Sequence, residues 1–225
     1  MDLLYSDNRI VVCIKPAGVV STDEPGGVPD LVRHALGDKK ACVRTVHRLD
    51  QVVSGVMVLA RSREAARRLS AQVEAHEFYK EYLAVIEGKP EEQNGCLVDF
   101  LVRDKTLRKT YIVGESGKDS RQAILHYRAI SHVDNFSLIR IRLETGRTHQ
   151  IRAQFSGRGF PLVGDKKYGS SYELGQSIAL WSRQLTFRHP QTDESVTFSF
   201  LPPNTFPWNQ FPALWDDSID WRTQL

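Results

Sequence analysis

The sequence predicts an α+β protein, with a mixed, largely antiparallel central β-sheet flanked by a few helices and loops. Three observations carry that prediction. Short apolar runs rich in branched residues recur along the whole chain, helical periodicity is confined to a few stretches, and the regular strand-helix alternation of a doubly wound sheet is missing.

In chain order, strands are expected at Ile10 to Ile14, Val56 to Ala60, Tyr82 to Ile86, Ile124 to Ile130, Phe136 to Leu143 and Val196 to Leu201. Branched and aromatic side chains pack well on a pleated, half-buried surface, which is why such runs read as strands. A helix is expected near Pro29, since proline suits the first helical position. The clearest helix follows Ser62, a side chain able to accept an orphan N–H, with Glu64 in the first turn and Ala65, Leu69 and Val73 on one face. A third is expected to begin near Thr148 and stop at Gly157 or Gly159. Gly and Pro gather in loops at Lys15 to Pro29, Gly114 to Gly117 and Pro202 to Pro212. The first of these is long enough to invite a functional role.

The 225 residues, 41% of them apolar, suit one continuous domain with a core at about 3–202 and a C-terminal extension at 203–225. Thirty Lys and Arg exceed 27 Asp and Glu by only three, but the excess is unevenly placed. Between Ile139 and Tyr168 stand Arg140, Arg142, Arg147, Arg152, Arg158, Lys166 and Lys167, against Glu144 and Asp165. Such a segment can hold a polyanion or form a solvated charged face. Cys13, Cys42 and Cys96 are odd in number and form no CxxC pair, so neither a disulfide framework nor a zinc knuckle is expected. No basic leader and no long apolar run is present, so we expect no membrane partner and a cytoplasmic monomer.

Signatures for nucleotide phosphates, dinucleotides, zinc hydrolysis and the serine nucleophile elbow are absent, and the seven histidines are scattered singly. No metal and no cofactor is expected. What stands out is His47-Arg48-Leu49-Asp50, a carboxylate on a loop that enters the strand beginning near Val56. Taken alone the tetrapeptide reads as an ordinary surface ion pair between Arg48 and Asp50. Four further blocks change its context: Lys15-Pro16-Ala17-Gly18, Lys80-Glu81-Tyr82, Gly146-Arg147-Thr148-His149-Gln150-Ile151-Arg152 and Gly164-Asp165-Lys166-Lys167-Tyr168-Gly169.

In these five ordered blocks the chain resembles the RluA-like family of pseudouridine synthases, from about Leu3 to Pro202. The resemblance implies the α+β catalytic domain of that family and an RNA-modifying isomerase that needs no cofactor. It implies Asp50 as the catalytic aspartate, Arg152 as its ion-pair partner, Tyr82 as the aromatic residue against the target base and Arg48 as an RNA-contacting side chain. His47, Arg147, His149, Gln150, Lys166 and Lys167 are the further expected substrate contacts, and the expected partner is structured ribosomal or transfer RNA. Many relatives carry an N-terminal RNA-binding module; here the matching sequence starts by Leu3, so none is expected and target choice falls to loops such as Lys15 to Pro29 and Arg103 to Lys109. Two departures stand out. Val53-Ser54-Gly55 replaces the usual Thr-Ser-Gly, and Leu180-Trp181-Ser182 replaces Leu-His-Ala.

These residue types suit the reaction. Turning uridine into pseudouridine breaks the bond from N1 to the ribose, rotates the uracil and rejoins it through C5, with nothing gained or lost. An ionised carboxylate can attack the sugar, attack the base or remove a ribose proton. Burial raises an aspartate above its ordinary pKa of about 3.9, whereas a nearby guanidinium favours the charged form. Arg152 could do that or bind phosphate, and Tyr82 could stack on uracil or pack in the core. Two rivals stay open: a non-catalytic RNA-binding protein on the same scaffold, against which the joint presence of Asp50, Tyr82 and Arg152 argues, and a hydrolase of another glycosidic bond.

Overall fold

The computed structural model describes residues 1–117, 119–215, 219 and 221, so part of the expected extension (216–218, 220 and 222–225) lies outside the described residues. The chain divides into two compact units, Met1–Lys80 with Trp181–Leu201, and Glu81–Leu180 with Pro202–Leu225.

In the first unit, strands β1 (Leu3–Ser6), β2 (Ile10–Lys15) and β4 (Ser54–Ala60) lie side by side and antiparallel. The other edge of β4 is shared. The short β3 (Arg44–Thr45) runs antiparallel to its C-terminal end, and β10 (Leu180–Arg188) runs parallel to its start, Ser182 opposite Gly55. β11 (Ser195–Ser199) closes a hairpin onto β10. Two helices accompany this sheet, α1 (Val28–Ala35) and α2 (Arg63–Glu74). As its sequence indicates, Ser62 caps α2, its Oγ accepting from Ala65 N at 3.1 Å. Ala65 and Leu69, on the apolar face of α2, join Ile10, Val12, Val56, Val58, Phe78, Leu185 and Phe187 in one core. Phe78 stacks on Phe187 with ring centroids 5.1 Å apart. Helix α1 starts one residue before Pro29, with Gly27 as its N-cap.

The second unit is an antiparallel sheet in the order β5 (Tyr79–Glu87), β9 (Phe136–Leu143), β8 (Arg121–Val133), β6 (Asn94–Asp104) and β7 (Lys109–Val113). The apolar runs at 82–86, 124–130 and 136–143 form the centre of this sheet, whereas β6 and β7 were not expected. In β6 charged and apolar residues share both faces, and Val98 stays 51% exposed, so no period of two emerges. Helix α3 (Gln150–Ser156) begins two residues later than expected and is capped by Gly157. No helix among the described residues is long and apolar enough to cross a membrane.

Candidate active site

Asp50 sits half-buried on the connection between β3 and β4. Two tethers place it. Ser21 Oγ donates to Leu49 O at 2.7 Å and accepts from Leu49 N at 3.1 Å, which clamps the residue before Asp50. On the other side Lys15, wholly buried at the end of β2, donates from Nζ to the carbonyls of Pro16, Gln51 and Val53 at 2.9, 3.1 and 2.7 Å. Gly18 N donates to Gln51 O at 2.8 Å, and Gln51 Nε2 returns a bond to Gly18 O at 2.9 Å. The Lys-Pro-x-Gly block thus serves the loop that carries the aspartate. Burial lowers the Lys15 ammonium to about 8, against the opposing pull of Asp50 nearby.

Of the neighbours of Asp50, Arg48 is exposed and His47 is 8% exposed. His47 Nε2 accepts from Val58 N at 3.1 Å, and burial, helped by Lys80, pushes the imidazole down to about 3. It therefore works neutral, as a fastener between loop and strand. Gly55 follows from close approach: it has φ +121°, and a Cβ there would lie 2.3 Å from Ser182 O. Of the two departures, Val53 is buried and lends its carbonyl to Lys15, and Trp181 donates Nε1 to Phe200 O at 2.8 Å.

In the second unit Tyr82 lies on β5 opposite Ile141 and is 7% exposed. Arg152, on α3, is 4% exposed and forks onto Asp165, Nε to Oδ2 at 2.6 Å and Nη2 to Oδ1 at 2.9 Å. Its guanidinium also lies over the Tyr168 ring, 4.9 Å from the centroid. Tyr168 Oη accepts from Thr110 N at 2.8 Å and meets His149 Nδ1 at 2.9 Å. The Gly-Asp-x-x-Tyr-Gly block is thereby explained, since its Asp and Tyr orient the arginine of the preceding block. Sequence reasoning missed Asp165 and Tyr168 as site residues, although the fixed spacing of the block around them was a usable signal.

Gln150 is buried and braces the turn before α3. Its Oε1 accepts from Thr145 Oγ1 at 2.8 Å and Arg147 N at 3.0 Å, and its Nε2 donates to Ile124 O at 3.1 Å. His149 adopts φ 54° at the N-cap, which ends the turn and delays the helix. Arg147 is half-buried, with Nε donating to Gln122 O at 2.9 Å; Lys166 and Lys167 are exposed. The basic run is less free than its composition indicates. Arg140 pairs with Glu81, Arg142 with Glu144, Arg152 with Asp165 and Arg158 with Asp99.

A carboxylate held on a doubly tethered loop, with an arginine locked by a buried aspartate, are the parts that the five blocks specify. A family model described as RNA pseudouridylate synthase matches residues 9–157. The chain therefore belongs to the pseudouridine synthases, in the RluA-like family, and is an enzyme that isomerises uridine in RNA.

It is similar to ribosomal large subunit pseudouridine synthase D of Zymomonas mobilis, 35% identical over 90% of this chain and 69% of that one. It is also similar to tRNA pseudouridine synthase C of Yersinia pestis, 31% identical over 88% of this chain and 85% of that one. Among solved structures, human RNA pseudouridylate synthase domain containing 1 covers 95% of this chain and 85% of its own, with a TM-score of 0.78 at 23% identity. That likeness establishes the α+β fold.

Proposed function

We propose that the chain is one catalytic domain that converts specific uridines of structured ribosomal or transfer RNA, with Asp50 as the catalytic carboxylate and Tyr82 and Arg152 as the other catalytic side chains. The observation that carries this reading is the pair of tethers on the Asp50 loop. A buried Lys15 and a buried Ser21 fasten the backbone on both sides of one half-exposed aspartate. Preorganisation of that kind serves a group that must meet a reacting atom within a narrow tolerance. The relatives named for large-subunit ribosomal RNA and for transfer RNA support those two substrate classes. The three free cysteines fit a reducing cytoplasm.

In this reading the target uridine is swung out of its stack, at a cost of a few kcal/mol that a side chain filling the gap offsets. Arg48, exposed and two residues before Asp50, is that side chain. Asp50 takes part in breaking the bond to N1, Tyr82 holds the uracil face, and the C5 proton leaves once the new bond has formed. Arg147, His149, Lys166 and Lys167 meet phosphates, whereas His47 and Gln150 act through the backbone they fasten. Pseudouridine mapping of cellular RNA from cells with the protein, without it, and with Asp50→Asn tests this. At least one site is expected to vanish on deletion and to stay absent with Asp50→Asn. A site restored by Asp50→Asn would overturn the catalytic assignment and favour a non-catalytic RNA-binding role, and release of free uracil would favour hydrolysis.

A further inference from the structure

Beside the Asp50 loop, within the first unit, β3 and the segment before α1 border an open groove of about 430 Å³. Thr22 and Asp23 line one side, and Val43, Arg44, Thr45 and Arg48 the other. Its size falls at the lower end of small-ligand sites, roughly 300–1,000 Å³, which suits one nucleotide. Its charge is set by three guanidiniums and one carboxylate. Arg33 forks onto Asp23 at 2.8 and 2.7 Å and cancels it. The exposed guanidiniums of Arg44 and Arg48 enter none of the side-chain hydrogen bonds or ion pairs of the described residues; Arg44 also helps Arg33 hold the Asp23 carboxyl down, and the three guanidiniums outnumber that one carboxylate, so the groove keeps an excess of positive charge for an anion.

The geometry of β3 explains why Arg44 is available. This two-residue strand pairs with β4 through Arg44 opposite Ala60; Val43, the residue before it, is buried at 2% exposure while Arg44 stays in solvent. Thr45 Oγ1 donates to Ser21 O at 2.7 Å, joining the groove wall to the residue that clamps Leu49. The groove and the Asp50 loop therefore share one scaffold. A planar guanidinium there can fork onto a phosphate or stack on a base.

We propose that this groove receives the nucleotide flanking the target uridine on the same strand, with its phosphate on Arg44, and so positions the target strand at Asp50. The proposal rests on the reading of Asp50 as the catalytic group. An uridine swung out at Asp50 leaves its neighbour unstacked within the reach of Arg48 and Arg44, and a single unstacked nucleotide carries the phosphate and the base edges that such a groove can read.

The test uses an unmodified RNA transcript carrying the uridine whose conversion depends on Asp50, with steady-state kinetics of the full chain. Arg44→Ala and Arg44→Gln are expected to raise KM about tenfold, the worth of one good charge-assisted contact, with kcat unchanged. The log-log salt dependence of binding should flatten by about 0.7, and Arg44→Lys should recover part of the loss. Arg67→Ala, the same charge change on the exposed face of α2, should alter none of these. Replacing the phosphate on either side of the target by an uncharged methylphosphonate should weaken the wild type at one position and leave Arg44→Ala insensitive there. If Asp50-dependent conversion persists while both Arg44 variants keep the wild-type KM, or while the phosphate and Arg44 effects simply add, the groove proposal is overturned and the catalytic reading stands. If conversion does not depend on Asp50, both fall.

Discussion

Single residues divide here into the proposed catalytic carboxylate and the side chains that hold its loop. Asp50 is half-exposed, whereas Lys15, Ser21 and His47, which fix its loop, are buried. His47 gives this division a pH signature. Its folded-state value is lowered from 6.5 to about 3, so over that window the unfolded chain holds a proton that the folded one refuses. Stability contributed by the neutral ring is present above pH 6.5 and is lost as pH falls, with a slope of about 1.4 kcal/mol per unit. His47→Gln keeps an acceptor for Val58 N and removes the titration. Urea unfolding from pH 7 to 5 should therefore show a shallower loss of stability in the variant than in the wild type; equal slopes would mean that the ring is protonated in the folded chain.

At the level of elements, the site depends on where β4 meets its neighbours. Gly55 has φ +121° and no room for a Cβ against the Ser182 backbone, so Gly55→Ala must push β4 and β10 apart. The cost is expected to be about 3 kcal/mol or more. Gly26 also has a positive φ, +75°, but a Cβ there meets nothing within 4 Å. Gly26→Ala should cost only about 1 kcal/mol, the backbone penalty alone. Thermal unfolding of the two variants separates steric exclusion from conformational preference. The helix α3 teaches a related lesson: its first residue, Gln150, is spent on the turn before it, which is why the helix begins where it does.

For the molecule as a whole, charge is the property that composition describes least well. The excess of three positive charges is small, and four of the seven cations between Ile139 and Tyr168 have carboxylate partners. RNA binding should then lean on the exposed remainder. The double variant Lys166→Ala/Lys167→Ala is expected to flatten the salt dependence of RNA affinity by about 1.4 in log-log slope, roughly 0.7 per lost single-strand phosphate contact. Arg158→Ala should leave that slope alone and instead lower stability, because it strands Asp99, which is 11% exposed in its pair. Filter binding across a salt series distinguishes the two; equal slopes for all three proteins would place the phosphate contacts elsewhere.

Much of the architecture was legible in the sequence. Ser62 announced α2, the apolar runs announced most of the central strands though not β10, and five blocks in order announced the family. Those features are local: a cap, a period or a motif acts over a few residues and is written in their types. What only the tertiary structure decided concerns pairs far apart in the chain. It decided that β6 and β7 form despite their mixed polarity, because the sheet supplies partners that no local pattern reveals. Likewise Lys15 is buried to hold the carbonyls of Gln51 and Val53, Arg152 forks onto Asp165, and Arg44 is left in an open groove while most of the basic run is neutralised. A charged residue looks the same in sequence whether it is solvated, paired or waiting for a ligand; burial and the position of its counter-charge make the difference, and both are properties of the folded chain.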